Sequence, residues 1–210
     1  MFVSLATRIE PRWIVTDAAA YAYLLGVYLG DGYIVRASPR SAWMAITLDA
    51  RFPGIVAETA AAVHAVFPTI HATVRPRRNP SAVIVQCSHR DLPFAFPQHG
   101  PGRKHERPIV LAGWQQTITG RHPRQLIRGL IHSDGCRTVN RFSTVLPSGR
   151  AAEYEYPRYF FSNLSGDIRA IFCRHCDLLG IRWTQSNPRN ISVAHRDSVA
   201  LLDSFVGPKQ

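Results

Sequence analysis

The chain contains two helical segments that end in the same way, and this repetition limits what it can fold into. The first segment closes on Gly-Asp-Gly and the second on Ser-Asp-Gly, with the aspartates Asp31 and Asp134 lying 103 residues apart. The tripeptide His-Arg-Asp also occurs twice, starting at His89 and at His195, 106 residues apart. Because two markers repeat in the same order at nearly the same spacing, the sequence predicts a duplicated unit of about 100 residues.

The predicted elements follow the same order in each half. A helix ending at the aspartate is followed by two strands, a second helix and two further strands, with some helix at the edge. The fold class is therefore α+β, with two pseudo-symmetric αββαββ(α) repeats at residues 1–96 and 109–210, joined by a Pro- and Gly-rich linker at 97–108. In the second half, Ser165 and Gly180 are expected to bound the second helix, and the first hairpin is expected to be about 13 residues longer than in the first half.

The charge balance points to a polyanionic partner. Lys and Arg number 25 against 14 Asp and Glu, a formal net charge of +11. Only Lys104 and Lys209 are lysines, and guanidinium groups, which make up the rest, match phosphate oxygens in a bidentate fork. The longest nearly apolar run, residues 18–30, is too short to cross a bilayer, and no secretory signal is evident. The chain also lacks a Walker A loop, a dinucleotide fingerprint and a G-x-S-x-G elbow.

Small residues lie four positions apart on one face of each repeated segment. They are Gly26 and Gly30 in the first segment, and Gly129 and Ser133 in the second. This spacing stacks them on one side of a helix, where a second backbone can approach closely. We therefore predict that the two helices pack against each other through these four residues.

Asp31 and Asp134 need a separate explanation, because each lies at the C-terminal end of its helix, before a glycine that can adopt positive φ. A carboxylate there faces the negative end of the helix dipole, which is unfavourable by about 0.3–1 kcal/mol. If the helices pair, two carboxylates also meet. A cation between them relieves both effects, and Mg²⁺ prefers such hard oxygen ligands. The sequence thus predicts a magnesium site that can activate water beside a phosphate backbone.

Both segments resemble the motif of the LAGLIDADG homing endonucleases, in the single-chain form that has two motifs. The positions that carry the resemblance are Gly26, Asp31 and Gly32, and Gly129, Asp134 and Gly135. The order of elements around each motif is also similar to the family's repeat. The resemblance implies a saddle of antiparallel sheets that lies in the major groove of double-stranded DNA, with the motif helices packed at its centre.

The resemblance also implies an activity and a cofactor. Family members bind Mg²⁺ or another divalent cation through the last aspartate of each motif, here Asp31 and Asp134. They cut across the minor groove and leave four-base 3′ overhangs. By resemblance, the chain would be a monomer with internal pseudo-two-fold symmetry that hydrolyses both strands of a long, nearly palindromic site. The family is associated with intron and intein mobility; the splicing residues of an intein are not seen, and a free-standing protein acting in the cytoplasm, at the nucleoid, is expected.

Family members also carry accessory residues, usually a glutamine or similar group and a lysine, that position the attacking water. By order along the chain, the polar counterparts would be Thr47 or Asp49 in the first half and Asn163 in the second, and the basic ones Arg90 and Arg196. No lysine lies at these positions, and arginine can stabilise phosphate charge but cannot act as a base at neutral pH. The His-Arg-Asp tripeptides can also be interpreted as surface caps of the last helix of each half.

The DNA-facing surface is predicted to come from alternate strand residues and hairpin tips. The arginines that fit this placement are Arg36, Arg40, Arg75, Arg77, Arg78, Arg137, Arg141, Arg158 and Arg189. They would set phosphate affinity and its salt dependence, and some would read guanine edges. The aromatic residues Trp43, Tyr156 and Tyr159 are interpreted as packing groups.

Two other functions stay open at the level of sequence. A DNA-binding transcriptional regulator could keep the same fold without cutting, and actinobacterial sporulation regulators resemble the chain in this way, although no helix-turn-helix is evident. An RNA-splicing maturase would carry no distinguishing mark. Retention of both aspartates favours the nuclease.

Overall fold

A computed structural model describes residues 15–38, 41–78, 81–207 and 209, with the backbone alone at position 37. The first half consists of helix α1 (Ala18–Asp31), strands β1 (Gly32–Ser38) and β2 (Ser41–Asp49), helix α2 (Pro53–Val66), strands β3 (Thr73–Pro76) and β4 (Ala82–Ser88), and the short helix α3 (Leu92–Ala95). A 3₁₀ turn (Lys104–Glu106) and helix α4 (Gly113–Arg121) lead into the second half.

The second half repeats this order. It consists of helix α5 (Pro123–Asp134), strands β5 (Gly135–Val145) and β6 (Ala151–Ser162), helix α6 (Gly166–Leu178), strands β7 (Thr184–Asn187) and β8 (Asn190–Val193), and helix α7 (Arg196–Val206). Ser165 caps α6 as predicted, because its side chain accepts a hydrogen bond from the Ile168 N–H, and Gly180 follows the helix with a φ of 67°. The β5–β6 hairpin spans residues 135–162, against 32–49 for β1–β2, so it is the longer one.

The eight strands found among the described residues form two antiparallel sheets of four. Their orders are the same, β1-β2-β4-β3 and β5-β6-β8-β7. Gly32 pairs with Ile46 in the first sheet, and Gly135 pairs with Phe161 in the second, so each sheet begins directly after a motif aspartate. The predicted α+β class and its two-repeat saddle architecture are confirmed.

Each sheet has one face covered by helices and one open face. The covered face of the first sheet contains the buried Met44 and Ile46, and that of the second contains Phe161, which stacks on Phe172 of α6 with ring centroids 4.4 Å apart. Side chains alternate along a strand. Residues an even number of positions after the glycine that begins β1 or β5 therefore belong to the covered face, and those an odd number after it belong to the open face.

Helices α1 and α5 cross at two glycines. A Cβ atom on Gly26 would stand 2.5 Å from the carbonyl oxygen of Leu126, and one on Gly129 would stand 2.2 Å from that of Tyr23. The two backbones are therefore in direct contact, which no larger residue would allow. Residues 21–29 of α1 are all buried, yet no helix within the described residues is both long and apolar enough to span a membrane.

The segment predicted as a linker, residues 97–108, is packed against both halves. Gln98 is buried, and its amide donates to the carbonyl oxygen of Val110 at 2.8 Å and to Oε1 of Gln115. Gln115 of α4 in turn donates to the hydroxyl of Tyr21 in α1 at 2.7 Å. Buried polar groups linked in this way fix the path of the backbone, so this segment has a defined conformation despite its Pro- and Gly-rich composition.

Candidate metal centre and DNA-binding face

The two aspartates that end the paired helices lie side by side. Asp31 is the last residue of α1, and Asp134 is the last residue of α5. A Cβ atom on Gly30 would stand 2.2 Å from Ser133 Oγ and 2.8 Å from Asp134 Oδ2. The missing side chain at Gly30 thus leaves room for the carboxylate of the other helix, and the four predicted interface residues all lie in this contact.

The glycine after each aspartate is required by space rather than by backbone conformation. Gly32 has a φ of −91° and Gly135 a φ of −109°, so neither uses the positive φ that is open to glycine. Instead, a Cβ atom on Gly32 would stand 2.8 Å from Tyr28 Cα, and one on Gly135 would stand 2.7 Å from Ile131 Cα. Glycine lets the chain pass directly from helix to strand, which fixes each aspartate at the junction.

Burial keeps both carboxyl groups from ionising easily, and at Asp31 the charge of Asp134 adds to this effect. The pKa of Asp31 is raised to about 7, first by burial and then by the charge of Asp134, against the opposing charges of Lys104 and Lys209. Burial also raises the pKa of Asp134, against a hydrogen bond from Asn163 and the same two lysines. Two acids that resist ionisation at one point are typical of a site that a cation completes.

The side chain of Asn163 holds the carboxylate of Asp134. Its Nδ2 donates to Asp134 Oδ2 at 2.6 Å, while its Oδ1 accepts from the backbone N–H of Ser165 at 2.7 Å. The second bond assigns the orientation of the amide, because a backbone N–H needs the oxygen as its partner. Asn163 therefore lies where the family resemblance suggested an accessory polar residue.

Asp49 is the counterpart of Asn163 in the first half. Its Oδ1 accepts from the backbone N–H of Arg51, two residues ahead, at 2.9 Å. Asn163 makes the same turn with Ser165, and in both halves the turn comes just before a helix. This shared turn favours Asp49 over Thr47. A hydrogen bond from the Arg51 guanidinium, with Nη2 2.6 Å from Asp49 Oδ2, lowers the pKa of Asp49 to about 2. The two halves thus differ: an amide contacts the aspartate in the second, and an ion pair takes its place in the first.

Lys104, which lies between the halves, reaches the end of α1. Its ammonium donates to the carbonyl oxygens of Leu29 at 2.9 Å and Gly30 at 3.2 Å, and also to that of Tyr28. The last turn of a helix leaves carbonyl groups without intrahelical partners and forms the negative end of its dipole, so a cation is favoured there. Burial lowers the pKa of Lys104 to about 8, against the opposing charges of the two aspartates.

Lys209 repeats this arrangement at the end of α5. Its ammonium donates to the carbonyl oxygen of His132 at 3.0 Å, and His132 follows Leu29 by the 103 residues that separate the aspartates. Burial lowers the pKa of Lys209, while Asp31 and Asp134 are among the groups that oppose this shift. Each aspartate is therefore accompanied by a lysine bound to the end of its own helix.

Neither lysine lies where the sequence suggested a basic residue. They are the only lysines in the chain, and they lie 105 residues apart, between the spacings of 103 and 106 that define the repeat. That spacing was the signal that would have identified them. It was hidden because Lys104 falls in the segment assigned to a linker.

Arg90 and Arg196 do not take part in the centre. The Arg90 side chain is 76% exposed and lies 3.7 Å from a carboxylate oxygen of Asp91, and Arg196 is exposed at the start of α7. Neither is among the charges that shift the pKa of Asp31 or Asp134. The two tripeptides instead lie at the starts of α3 and α7, where Asp91 and His195 hold the N-cap positions but neither side chain makes a capping hydrogen bond.

The donors at this centre fit a hard divalent cation. Among the described residues, no cluster of three or more His, Cys, Asp and Glu side chains forms, so the protein itself supplies two carboxylates. Mg²⁺ commonly binds through one or two carboxylates and completes its shell with water and substrate phosphates, so this donor set is sufficient. Asp31 also lines a cavity of about 320 Å³ together with Thr47, Asp49, Ser133 and Lys209, which gives such groups access.

The arginines predicted to face DNA are divided by the strand register. Arg75 and Arg158 lie on the open faces, in register with Ile84 and Thr138, and Arg77, Arg78 and Arg189 are exposed in or beside hairpin turns. Arg40 lies outside the described residues. Arg36, Arg137 and Arg141 are in register with the covered faces.

These three arginines thus lie on the faces opposite to those of Arg75 and Arg158. Arg137 Nε donates to Asp203 Oδ1 of α7 at 2.7 Å, and Arg141 Nε lies 2.9 Å from Glu155 Oε2. Arg36 is paired in register with the buried Ala42. All three lie an even number of residues after the glycine that starts their strand, and this parity directs them away from the open face.

Two repeats of this topology, with paired helices ending between two sheets, define a fold that solved structures share. I-DmoI in complex with DNA and Mn is 16% identical, with 92% of this chain and 99% of that chain covered and a TM-score of 0.58. DUF199/WhiA from Thermatoga maritima is 12% identical, with 92% of this chain but 56% of that chain covered and a TM-score of 0.57. The I-SmaMI LAGLIDADG homing endonuclease bound to cleaved DNA is 10% identical, with 92% and 85% covered and a TM-score of 0.54.

At these identities the likeness shows the fold, which is that of the LAGLIDADG proteins. No protein-family model and no curated protein sequence matches the chain.

Proposed function

We propose that the chain is a site-specific, metal-dependent endonuclease of double-stranded DNA. The observation that carries this proposal is the pair of half-buried carboxylates, Asp31 and Asp134, at two helix ends that each bind a lysine. A purely structural role would favour neutral groups here, because burying two like charges at two negative helix ends costs stability. The net charge of +11 and the fold shared with DNA-bound structures support the substrate class.

Asp31 and Asp134 would hold the divalent cation through their carboxylate oxygens. Such a cation, when bound, lowers the pKa of water and neutralises charge on phosphate oxygens during hydrolysis. Asn163 orients the carboxylate of Asp134 through its amide N–H, so that Oδ1 of that aspartate stays available.

Lys104 and Lys209 would stabilise the charge that develops on the phosphate. Both are partly buried, and both are drawn to the site by helix-end carbonyls. The lowered pKa of Lys104, about 8, also allows it to hold or release a proton near neutral pH. This property separates it from the arginines, which stay charged.

The test is incubation of the protein with a randomised duplex library and Mg²⁺, followed by sequencing of the cut ends. We expect discrete ends with four-base 3′ overhangs at one long, nearly palindromic site. The Asp31→Asn variant serves as the control and should produce none of these ends while still binding DNA.

A non-cleaving DNA-binding regulator is the second candidate, and the fold likeness to DUF199/WhiA favours it. This chain spans just over half of that protein. The same experiment separates the two functions: a regulator would bind a specific duplex without cutting it, and neither EDTA nor Asp31→Asn would change that binding.

A further inference from the structure

The longer hairpin of the second half extends beyond its sheet as a two-stranded ribbon. β6 pairs with β8 only from Tyr159 to Ser162, whereas β5 and β6 stay paired as far as Val145 and Ala151. A two-stranded ribbon has no further strand beside it and no helix packed on it to bury its side chains. The large apolar residues on it are exposed as a result, with Phe142 at 46% and Tyr154 at 43%.

The two faces of this ribbon differ in chemistry. The open face has a stacked pair, Phe142 and Tyr154, with ring centroids 5.1 Å apart, and Tyr156 packs edge-on against Phe142 at 6.1 Å. The opposite face has the ion pair of Arg141 and Glu155. An aromatic cluster that is exposed on one side and ordered by stacking is typical of a contact surface.

We propose that this aromatic cluster reads the methyl groups of thymines in the outer part of one half-site. The inference rests on the proposed function and specifies its sequence preference. In the major groove, the apolar feature that a base pair displays is the C5-methyl group of thymine. Phe142 and Tyr154 would contact that group, whereas guanine displays hydrogen-bond acceptors that arginine or lysine most often reads.

The charge on this face supports the assignment. Arg158 is the one charged residue among the described residues of the open face of the β5–β6 hairpin, and its guanidinium is already stacked on the Phe160 ring at 4.4 Å and hydrogen-bonded to Ser192. Arg150, at the end of the hairpin loop, and Arg189, in the next hairpin, are exposed and can contact phosphates on either side. The apolar surface is thus flanked by cations. This arrangement fits DNA, in which phosphates lie on either side of a groove that displays the thymine methyl group.

The position of the cluster also fits a groove. β5 starts directly after Asp134, so Phe142 lies eight residues along the strand from the candidate metal centre. At about 3.4 Å per residue this is about 27 Å. A two-stranded ribbon enters the major groove of B-DNA, and this length corresponds to roughly six to eight base pairs from the centre of the site.

The first part of the test is selection of bound duplexes from a randomised library in EDTA, where no metal-dependent cutting occurs. We expect enriched sequences with thymine at one or more positions about six to eight base pairs from the centre, on one side only. Failure to enrich any sequence would contradict the proposed function itself. Enrichment without thymine at these positions would overturn the thymine assignment and leave DNA binding intact.

The second part replaces the selected thymines with deoxyuridine, which lacks only the methyl group. We expect the wild-type protein to lose about fourfold in affinity for each methyl group removed. Phe142→Ala should discriminate between the two duplexes less than the wild type does, because Tyr154 alone then remains of the stacked pair. Val139→Ala, which changes an equally exposed residue on the opposite face of the same ribbon, should discriminate like the wild type.

Equal wild-type affinity for the two duplexes would overturn the proposal. This outcome does not depend on any variant folding correctly. Equal affinity is also the result expected if the aromatic cluster binds a second protein molecule instead of DNA, because removing methyl groups from the DNA would not affect that contact.

Discussion

Lys104 and Lys209 donate to equivalent backbone carbonyls, those of Leu29 and His132, in the last turn of the two helices that end in aspartate. One lysine lies between the repeats and the other in the last residues of the chain, and the 105 residues between them match the repeat. The lysine ammonium group at each helix end offsets the repulsion between the helix dipole and the carboxylate. The two lysines are therefore part of the same repeat as the two aspartates.

Replacing Lys104 with methionine should abolish most cleavage while leaving DNA binding nearly unchanged. The substitution keeps the length of the side chain but removes the ammonium, so we expect a rate loss of about 100-fold or more. Cleavage of a selected duplex and its binding in EDTA are the two measurements. Arg103→Met is the matched control, because Arg103 is adjacent but its side chain is 77% exposed, and it should cut normally. A Lys104→Met protein that cuts like the wild type would show that this lysine has no part in the chemistry.

A methyl group at the helix crossing should destabilise the fold severely. In Gly129→Ala the new Cβ would stand 2.2 Å from the Tyr23 carbonyl oxygen, and a backbone atom cannot move aside, so we expect a loss of about 3 kcal/mol or more in the free energy of unfolding. Gly120→Ala in α4 is the control, since nothing lies within 4 Å of its Cβ position and alanine favours a helix by up to about 1 kcal/mol. Urea unfolding of both variants measures the difference, and similar stabilities would argue against direct backbone contact.

Asp31→Asn should stabilise the metal-free protein at pH 8. The pKa of Asp31 is raised from 3.8 to about 7, so the folded state binds its proton more tightly than the unfolded state does. This contribution to stability is fully present below pH 4 and is lost as the pH rises through 7, which leaves a cost of about 2–4 kcal/mol at pH 8 that asparagine removes.

Thermal unfolding in EDTA at pH 5 and pH 8 tests this expectation. Asp203→Asn provides the opposite case, because a hydrogen bond from Arg137 lowers the pKa of Asp203 and its ionised form stabilises the fold. That variant should be less stable than the wild type at pH 8. If Asp31→Asn also loses stability in EDTA, the carboxylate is satisfied without a cation, which contradicts the metal site.

Arginines on the two faces of the sheets should differ in their effect on DNA affinity. Arg75 lies on the open face, so Arg75→Ala should weaken binding and reduce the slope of log affinity against log salt by about one. Arg141 pairs with Glu155 on the other face, and Arg141→Ala should leave both quantities unchanged. Binding measured over a series of salt concentrations checks both variants, and an equal loss for the two would place DNA on a different surface.

The architecture could be predicted because the repeat aligned the halves and each half carried local signals. Ser165 and Gly180 bounded α6, and the Asp-Gly pairs marked where helix passes into strand. The aspartates could be placed together because small residues four positions apart lie on one helix face, which predicts that the two helices pack and bring their ends together. Such features depend on near neighbours in the chain.

The remaining parts of the site depend on contacts that the local sequence does not contain. Lys104 reaches α1 across 75 residues, and its role depends on carbonyl groups that every helix has. The sheet faces of Arg36, Arg137 and Arg141 could be assigned only from the register of β1 and β5, because a shift of one residue exchanges the two faces. Gly135 is buried on the covered face, so counting from it would have excluded Arg137 and Arg141.

The most direct test of the account is strand-resolved cleavage of a selected duplex by the wild type, Asp31→Asn and Asp134→Asn across a range of Mg²⁺ concentrations. Asp197→Asn, at the exposed start of α7, is the control and should behave like the wild type. We predict Mg²⁺-dependent double-strand cutting by the wild type, and no double-strand cutting by either motif variant although both bind the duplex. Cutting that persists in EDTA, or that survives both substitutions, would contradict a metal centre held by Asp31 and Asp134.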